Sequence, residues 1–296
     1  MRRDAFSNCH PAVNLCFFLG AIAFGVTIQH PAYLVTGILA ALAYYFLLKG
    51  RKGVRSLLWM LPLFAVTALI NPLLNLQGER VLFHVFGRPY TLEALFYGIA
   101  IGGTFFVMLL WFGCYNTVMT GDKFTALLGN VIPALSLLLV MVLRMIPNLI
   151  RKAGQITGAR KSIGKGSGEN SSKKERLMDG LTVLSALTSY ALEGSVVTAD
   201  SMRSRGYGSS KRSSFQLYRM TSLDWMLLCI MLVLAVTVVA FVVSGSATAS
   251  YTPELEIAPL RGRHIIGFIA YCAYLFIPTV LHSKEAIQWH ISRSKI

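Results

Sequence analysis

The sequence predicts an all-α integral membrane protein with about six transmembrane helices and further cytoplasmic or interfacial helices. Of its 296 residues, 54% are hydrophobic and only 14% are charged, whereas a soluble domain carries about 25% charged residues. Several stretches run for about 18 residues with almost no charge, which is enough to cross a hydrocarbon core about 30 Å thick. These stretches are continuously apolar and do not alternate, so helices are expected, because a spanning backbone must satisfy its hydrogen bonds internally.

Four spans are expected in the first part of the chain. A short uncharged junction at His30 separates the first two, which fits a tight turn. Pro62 and Pro72 predict a kink in the third span. Thr91 is expected to cap the fourth helix, with Glu93 placed favourably in its first turn. The predicted spans cover residues 11–28, 32–48, 56–76 and 91–120.

A long basic segment separates these spans from two more, at residues 223–243 and 265–281. Between residues 144 and 219 there are 14 lysines and arginines against 5 acids. The positive-inside rule therefore places this segment on the cytoplasmic side of the cell membrane. The amino terminus, with Arg2 and Arg3, is placed on the same side.

Residues 131–150 are apolar but contain Arg144. A charged side chain at the bilayer centre costs about 2.5 to 3.5 kcal/mol on insertion scales, and a full span here would move the basic segment outside. We therefore expect a helix that lies along the inner face or dips in and returns, with a true span as the alternative. The chain then divides into a transmembrane module (1–126), a cytoplasmic or interfacial region (127–219) and C-terminal transmembrane helices (220–296).

Several other classes of function lack a sequence signal. The net charge of +15 is explained by topology and anionic lipid, so the lipid bilayer is an expected partner and nucleic acid is not. The five cysteines contain no Cys-x-x-Cys pair and the six histidines share no ligand spacing, so neither metal nor cofactor is expected. Residues 164–168 lack the spacing of a phosphate-binding loop.

The residues inside the predicted spans bear on two functions, an ion-coupled carrier and an intramembrane enzyme. No acidic residue there stands clear of a helix end, which weighs against a proton- or sodium-coupled carrier. No nucleophile–base pair or metal cluster lies at bilayer depth, so an intramembrane enzyme is not indicated and no catalytic residue is proposed. A self-sufficient carrier or channel remains the alternative to the interpretation developed below.

The basic segment predicts a helix that begins after Ser172 and stops near Gly206. Ser172 and Glu175 form a capping box. Gly206 suits the left-handed conformation that ends a helix, which leaves Arg205 beside the negative end of the helix dipole. Apolar or small residues recur between them with a period of about 3.5 to 3.6, which predicts one face that another helix can approach closely. These residues are Leu177, Leu181, Leu184, Thr188, Ala191, Ser195, Thr198 and Met202.

Arg205 is, on the residues alone, either an ordinary solvated arginine or a guanidinium presented to another protein, for which its planar fork of donors is suited. Residues 199–208 resemble the alanine–arginine–glycine coupling motif of the transmembrane T component of energy-coupling factor transporters. Stretches at residues 10–14, 71–72, 111–123 and 133–147 are similar to that family in the same order. The resemblance covers nearly the whole chain.

The resemblance implies a non-enzymatic scaffold of an importer for a vitamin or a metal ion. Its partners would be two ABC-type ATPase subunits, which hydrolyse ATP, and a small membrane subunit that binds the substrate. Residues 127–219 would contain two coupling helices, each presenting an arginine-containing triplet to one ATPase.

The two triplets are not equally well preserved. The second carries over as Ser204-Arg205-Gly206. The first falls at Ser162-Ile163-Gly164, where Ile163 stands in place of the arginine. Arg160 or Lys161, one turn or less away, would then supply the positive charge.

Overall fold

The computed structural model describes residues 5–75, 81–85, 88–166, 172–209, 218–251, 256–259, 262 and 264–293. Helices dominate this part of the chain, and two short antiparallel β-hairpins join β1 to β2 and β3 to β4. The elements in order are α1 Ala5–Asn8, α2 Pro11–Thr27, α3 Pro31–Lys49, α4 Lys52–Leu74, β1 Val81–Val85, β2 Arg88–Thr91, α5 Leu92–Val118, α6 Gly121–Val131, α7 Pro133–Ser162, α8 Lys173–Ser204, α9 Ser222–Val243, β3 Ala249–Ser250, β4 Glu256–Ile257 and α10 His264–Arg293.

Seven helices in the described part of the chain are long and apolar enough to cross a membrane. They are α3, α4, α5, α7, α8, α9 and α10. This confirms the predicted all-α membrane fold. Five of the six predicted spans are among the seven. The remaining one, α2, is also an apolar helix but has only 17 residues. The other two, α7 and α8, fall in the region predicted to be cytoplasmic or interfacial. Of the seven helices, α8 has the least apolar 18-residue stretch.

Most of the predicted spans match helices to within a few residues, but α10 continues to Arg293, 12 residues past the predicted span. One predicted cap also needs correction. Helix α4 continues through Pro62 and Pro72. Thr91 directly precedes α5 and Glu93 lies in its first turn. The predicted side-chain cap is wrong, however, because the Thr91 side chain makes no capping hydrogen bond to α5.

The chain forms two compact units, one of Met1–Phe124 with Tyr218–Ile296 and one of Thr125–Leu217. The core of the first unit is a cluster of aromatic rings. Phe17 of α2 stacks on Tyr274 of α10 with ring centroids 5.4 Å apart, and meets Trp111 of α5 edge to face at 5.4 Å. Phe6 of α1 packs against Phe17 at 5.2 Å. Such contacts hold helices together in lipid. Lipid tails are as apolar as the side chains, so burial of apolar surface alone does not favour helix–helix contact over helix–lipid contact.

Histidine–proline pairs begin both α2 and α3. The Nδ1 atom of His10 accepts a hydrogen bond from the N–H of Ala12 at 3.2 Å, and that of His30 accepts from Ala32 at 3.3 Å. Each following proline occupies the first helical position, where its missing N–H is not needed. Since Nδ1 of His30 accepts, its Nε2 carries the proton and donates to the Ala258 carbonyl at 3.0 Å.

Asp224 connects the start of α9 to the start of α2. It is only 3% exposed. Its Oδ1 accepts from the backbone N–H of His10 at 2.9 Å. Its Oδ2 accepts from the backbone N–H and the hydroxyl of Thr221, at 2.9 and 2.7 Å. One buried carboxylate therefore caps α9 and joins it to the amino-terminal helices.

Helices α4 and α5 approach closely where α5 carries Gly98 and Gly102. A Cβ atom at Gly98 would lie 2.6 Å from the Ala68 carbonyl oxygen, and one at Gly102 would lie 3.1 Å from that of Phe64. The four-residue spacing of the glycines puts both on one helix face, as in the small-residue motifs of membrane helix pairs. Backbone contact at this point therefore requires glycine.

Replacing Gly98 with alanine should push α4 and α5 apart. The backbone carbonyl of Ala68 cannot rotate away as a flexible side chain can, so we expect a loss of about 1 to 3 kcal/mol in folding stability. Thermal inactivation in detergent would measure it. Gly154→Ala is the matched control, since nothing lies within 4 Å of its Cβ position. That control should be neutral or stabilising by up to about 1 kcal/mol. Equal thermal profiles for the two variants would contradict the close packing.

Candidate functional site

Helices α7 and α8 form an antiparallel hairpin in the second unit. Arg160 near the end of α7 forms an ion pair with Asp179 of α8, with Nε 2.8 Å from Oδ1. Further along, the amide of Asn148 donates to the Tyr190 hydroxyl at 3.2 Å. The ammonium of Lys152 lies 5.0 Å from the centre of the same ring. These polar contacts fix which residues of the two helices stand opposite each other.

The face of α8 that packs on α7 overlaps only in part with the predicted one. The half-buried residues along α8 include Ala191 and Met202 of the predicted face, and also Asp179, Val183, Leu187, Tyr190 and Gly194. In contrast, Leu177, Leu181 and Leu184 of the predicted face are each more than half exposed. These leucines therefore make little contact with α7, and the approach of another helix to their face stays a prediction. Hydrophobic periodicity does not identify Asp179 and Tyr190 as contact residues, because they meet α7 through an ion pair and a hydroxyl group.

The first predicted triplet ends α7. Ser162 is the last helical residue, Ile163 follows it, and Gly164 adopts a left-handed φ of 71°. The N–H of Gly164 donates to the Lys161 carbonyl at 3.1 Å, and that of Lys165 donates to the Arg160 carbonyl at 2.9 Å. These two bonds are those of a Schellman motif, which satisfies the carbonyls left open at a helix end.

The second triplet ends α8 with the same backbone arrangement. Ser204 is the last helical residue, Arg205 follows it, and Gly206 has a φ of 77°, which confirms the predicted glycine stop. Two backbone bonds close this end, Gly206 N–H to Arg203 O at 3.0 Å and Tyr207 N–H to Met202 O at 3.0 Å. The capping box of Ser172 and Glu175 at the other end of α8 is also confirmed.

The same stop also ends α9, so its backbone geometry is not specific to the triplets. There Gly245 has a φ of 89°, and its N–H donates to the Val242 carbonyl at 3.0 Å. What distinguishes the three ends is the residue before the glycine, which is Ile163, Arg205 or Ser244. The side chains of both Ile163 and Arg205 are exposed.

Arg160 is held inside the hairpin and is not presented at its tip. Besides the ion pair with Asp179, its Nη2 donates to the Lys165 carbonyl at 3.2 Å. These bonds direct the guanidinium toward α8 and the end of the hairpin bend. Lys161 is exposed, so of the two candidates for the missing charge it is the accessible one. Sequence reasoning missed Asp179, because its pairing depends on how the chain folds back.

Exchanging the two charges tests whether this ion pair secures the hairpin end. Arg160→Asp alone places two carboxylates together and should speed amide hydrogen exchange around the bend by about threefold to tenfold, since partly exposed pairs contribute on the order of 1 kcal/mol. Arg160→Asp with Asp179→Arg restores opposite charges and should recover most of the protection. Unchanged exchange in the single variant would show that the pair contributes nothing to the hairpin.

The two triplets lie at opposite ends of the hairpin. Because Arg160 stands opposite Asp179, about 26 residues of α8 separate the α7 end from Arg205, which is about 40 Å of helix. The structure therefore brings Arg160, Lys161, Ser162, Ile163 and Gly164 together at one end. It places Ser204, Arg205 and Gly206 at the other.

In the described residues, no group of three or more His, Cys, Asp or Glu side chains is placed to hold a metal ion. No model of a protein family matches the chain, and a search of curated proteins gives no match either. The fold itself defines the class, a multi-pass α-helical membrane protein with a hairpin that presents two matched helix ends.

Proposed function

We propose that this chain is the transmembrane coupling subunit of an importer of the energy-coupling factor type. The observation that carries the proposal is the pair of Ser-x-Gly helix ends, one on each helix of a single hairpin. Both stop with the same hydrogen bonds and both expose the residue between serine and glycine. A residue on such a fixed turn loses little further conformational freedom on binding, which favours its use as a docking contact.

In this proposal the hairpin and the amino terminus are cytoplasmic, and two ABC-type ATPase subunits bind the two ends. Closure of the ATPases on ATP would move the two helices, and the hairpin would transmit that motion to the substrate-binding subunit. The polar contacts along α7 and α8 stiffen it, which supports a role in force transmission. The chain itself would perform no chemistry.

A small membrane subunit would bind the vitamin or metal ion and contact the membrane helices of this chain. The large apolar surface that the described helices expose supports a membrane partner. On α4 alone, Trp59 is 79% and Leu74 is 72% exposed.

Reconstitution separates this proposal from a self-sufficient carrier. The tagged full-length chain should co-purify from mild detergent with two ATPase polypeptides, identified by mass spectrometry from their nucleotide-binding sequences. In proteoliposomes the chain alone should move no substrate, and the complete complex should do so only with ATP. Uptake or ion flux by the chain alone would establish a carrier or channel instead.

A further inference from the structure

Helix α8 carries a long apolar face that α7 leaves uncovered. Successive helix residues are about 100° apart, which places Leu181 and Leu192 opposite Tyr190 and Gly194. The last two face α7, since Tyr190 accepts a hydrogen bond from that helix and a Cβ atom at Gly194 would lie 3.9 Å from the Met145 side chain. The uncovered residues extend for about 28 Å along the helix, and each is more than half exposed. They form the leucine face of α8: Leu177, Leu181, Leu184, Leu192 and Val196.

The charges of α8 are distributed unevenly around its axis. At 100° per residue, the bases Lys174 and Arg203 lie within about 40° of the middle of the leucine face. The acids Glu175, Glu193 and Asp200 lie about 100 to 120° away from it. All five side chains are exposed. The leucine face therefore has positive charge at both of its ends, and the negative charge of the helix points elsewhere.

The spacing of the charges along α8 favours a helix that lies on a membrane over one that crosses it. The uncharged stretch between Asp179 and Glu193 is residues 180–192, which is 13 residues and about 20 Å of helix. A hydrocarbon core is about 30 Å thick. An apolar stretch of this length is typical of an interfacial segment.

We infer that the leucine face of α8 binds the surface of a bilayer that contains anionic phospholipid, with the helix axis parallel to the membrane and Lys174 and Arg203 at the headgroup phosphates. A helix bound in this way buries its apolar side chains at the boundary between headgroups and acyl chains. The anionic lipids of a cytoplasmic leaflet attract lysine and arginine side chains close to the surface. The uncovered apolar length and the two basic ends are complementary to such a surface together. The inference goes beyond the proposed function and involves neither ATPase subunit.

Fluorescence quenching in vesicles of defined composition tests the inference. The full-length chain is reconstituted with a fluorescent amino acid at Thr188, an exposed residue in line with the leucine face, or at Glu193 on the acidic side. Phospholipids with brominated acyl chains quench a fluorophore that enters the bilayer. Quenching at Thr188 should exceed that at Glu193 by about threefold or more, because only one side of the helix is inserted. It should increase when phosphatidylglycerol replaces part of the phosphatidylcholine.

Four results would overturn the inference. Equal quenching at Thr188 and Glu193 would indicate a helix that crosses the bilayer, and no quenching at Thr188 would leave the leucine face in water. Quenching that does not respond to phosphatidylglycerol would remove the role of the two bases. Shielding of Thr188 only after other subunits are added would assign the leucine face to a protein. None of these results bears on ATPase binding, which co-purification measures separately.

Variants separate the apolar contribution from the charges, with the fluorophore kept at Thr188. Each base close to an anionic surface strengthens binding by about fivefold, so Lys174→Gln with Arg203→Gln should lower the ratio of bound to unbound α8 by about tenfold or more. Leu181→Gln should lower it by about tenfold in either lipid. Glu193→Gln is the control on the acidic side and should not lower it. Undiminished quenching in the double variant or in Leu181→Gln would contradict the inference.

Discussion

Arg205→Glu should eliminate ATP-driven uptake by the importer complex while leaving insertion of the chain in the membrane unchanged. The exposed arginine lies on a fixed turn at the end of α8, so its reversal changes the docking contact and little else in this chain. Truncating one partner of a desolvated charge pair costs about 2 to 5 kcal/mol, and reversal adds repulsion. Binding of the ATPase at that end should therefore weaken by about 100-fold or more, measured by co-purification and by uptake into proteoliposomes.

Two variants make this result specific. Arg205→Lys keeps the charge and loses the planar fork, so an intermediate loss is expected. Arg151→Glu makes the same change in net charge at an exposed position in the middle of α7, and it should retain most of the uptake. Normal uptake by Arg205→Glu would refute the docking role of Arg205. Equal losses from Arg151→Glu would instead indicate that overall hairpin charge is what matters.

Asp224→Ala should produce a large loss of stability in the first unit. Removing the carboxylate leaves the N–H of His10 and the N–H of Thr221 without their acceptor, and the site is buried. Unsatisfied buried donors cost about 1 to 3 kcal/mol each, so we expect a total loss of about 3 to 5 kcal/mol. Unfolding of such membrane proteins is often irreversible, so the half-life of the folded protein in detergent is the quantity to measure.

Controls for Asp224 separate the hydrogen bonds from the charge. Asp224→Asn retains one carbonyl acceptor and should be less damaging than alanine. Asp200→Ala removes an exposed acid from α8, and its effect should stay within about 0.5 kcal/mol, as for most surface positions. A half-life for Asp224→Ala equal to that of Asp200→Ala would mean that this connection between α9 and α2 does not stabilise the fold.

Several elements of the fold could be predicted because their causes are local in the chain. A run of about 18 apolar residues is enough to define a helix long enough to span, and α9 and α3 were found this way. The capping box at Ser172 and the glycine stop at Gly206 involve residues at most five positions apart. The close approach at Gly98 and Gly102 was not predicted, because only the structure shows that these glycines face α4.

The candidate site was only partly predictable for the same reason. Only the second triplet was placed at a helix end by its glycine, Gly206, and the structure shows that Gly164 ends α7 in the same way. The separation of the two triplets by about 40 Å follows from the antiparallel arrangement and was not predicted. The sequence does not decide whether Arg160 or Lys161 supplies the charge missing at Ile163. The ion pair with Asp179 shows that Arg160 is the one held inside the hairpin.

The sequence by itself determined the all-α membrane class, five of the seven described helices that are long and apolar enough to span, and the helix end at Gly206. It also gave the charge pattern that places the basic segment on the cytoplasmic side in our proposal. Only the tertiary structure decided which face of α8 packs on α7, and that Asp224 bonds to His10, 214 positions away. Apolarity, capping and glycine stops are encoded within a few residues. Pairing between distant residues depends on the path by which the chain returns, which hydrophobic periodicity does not specify.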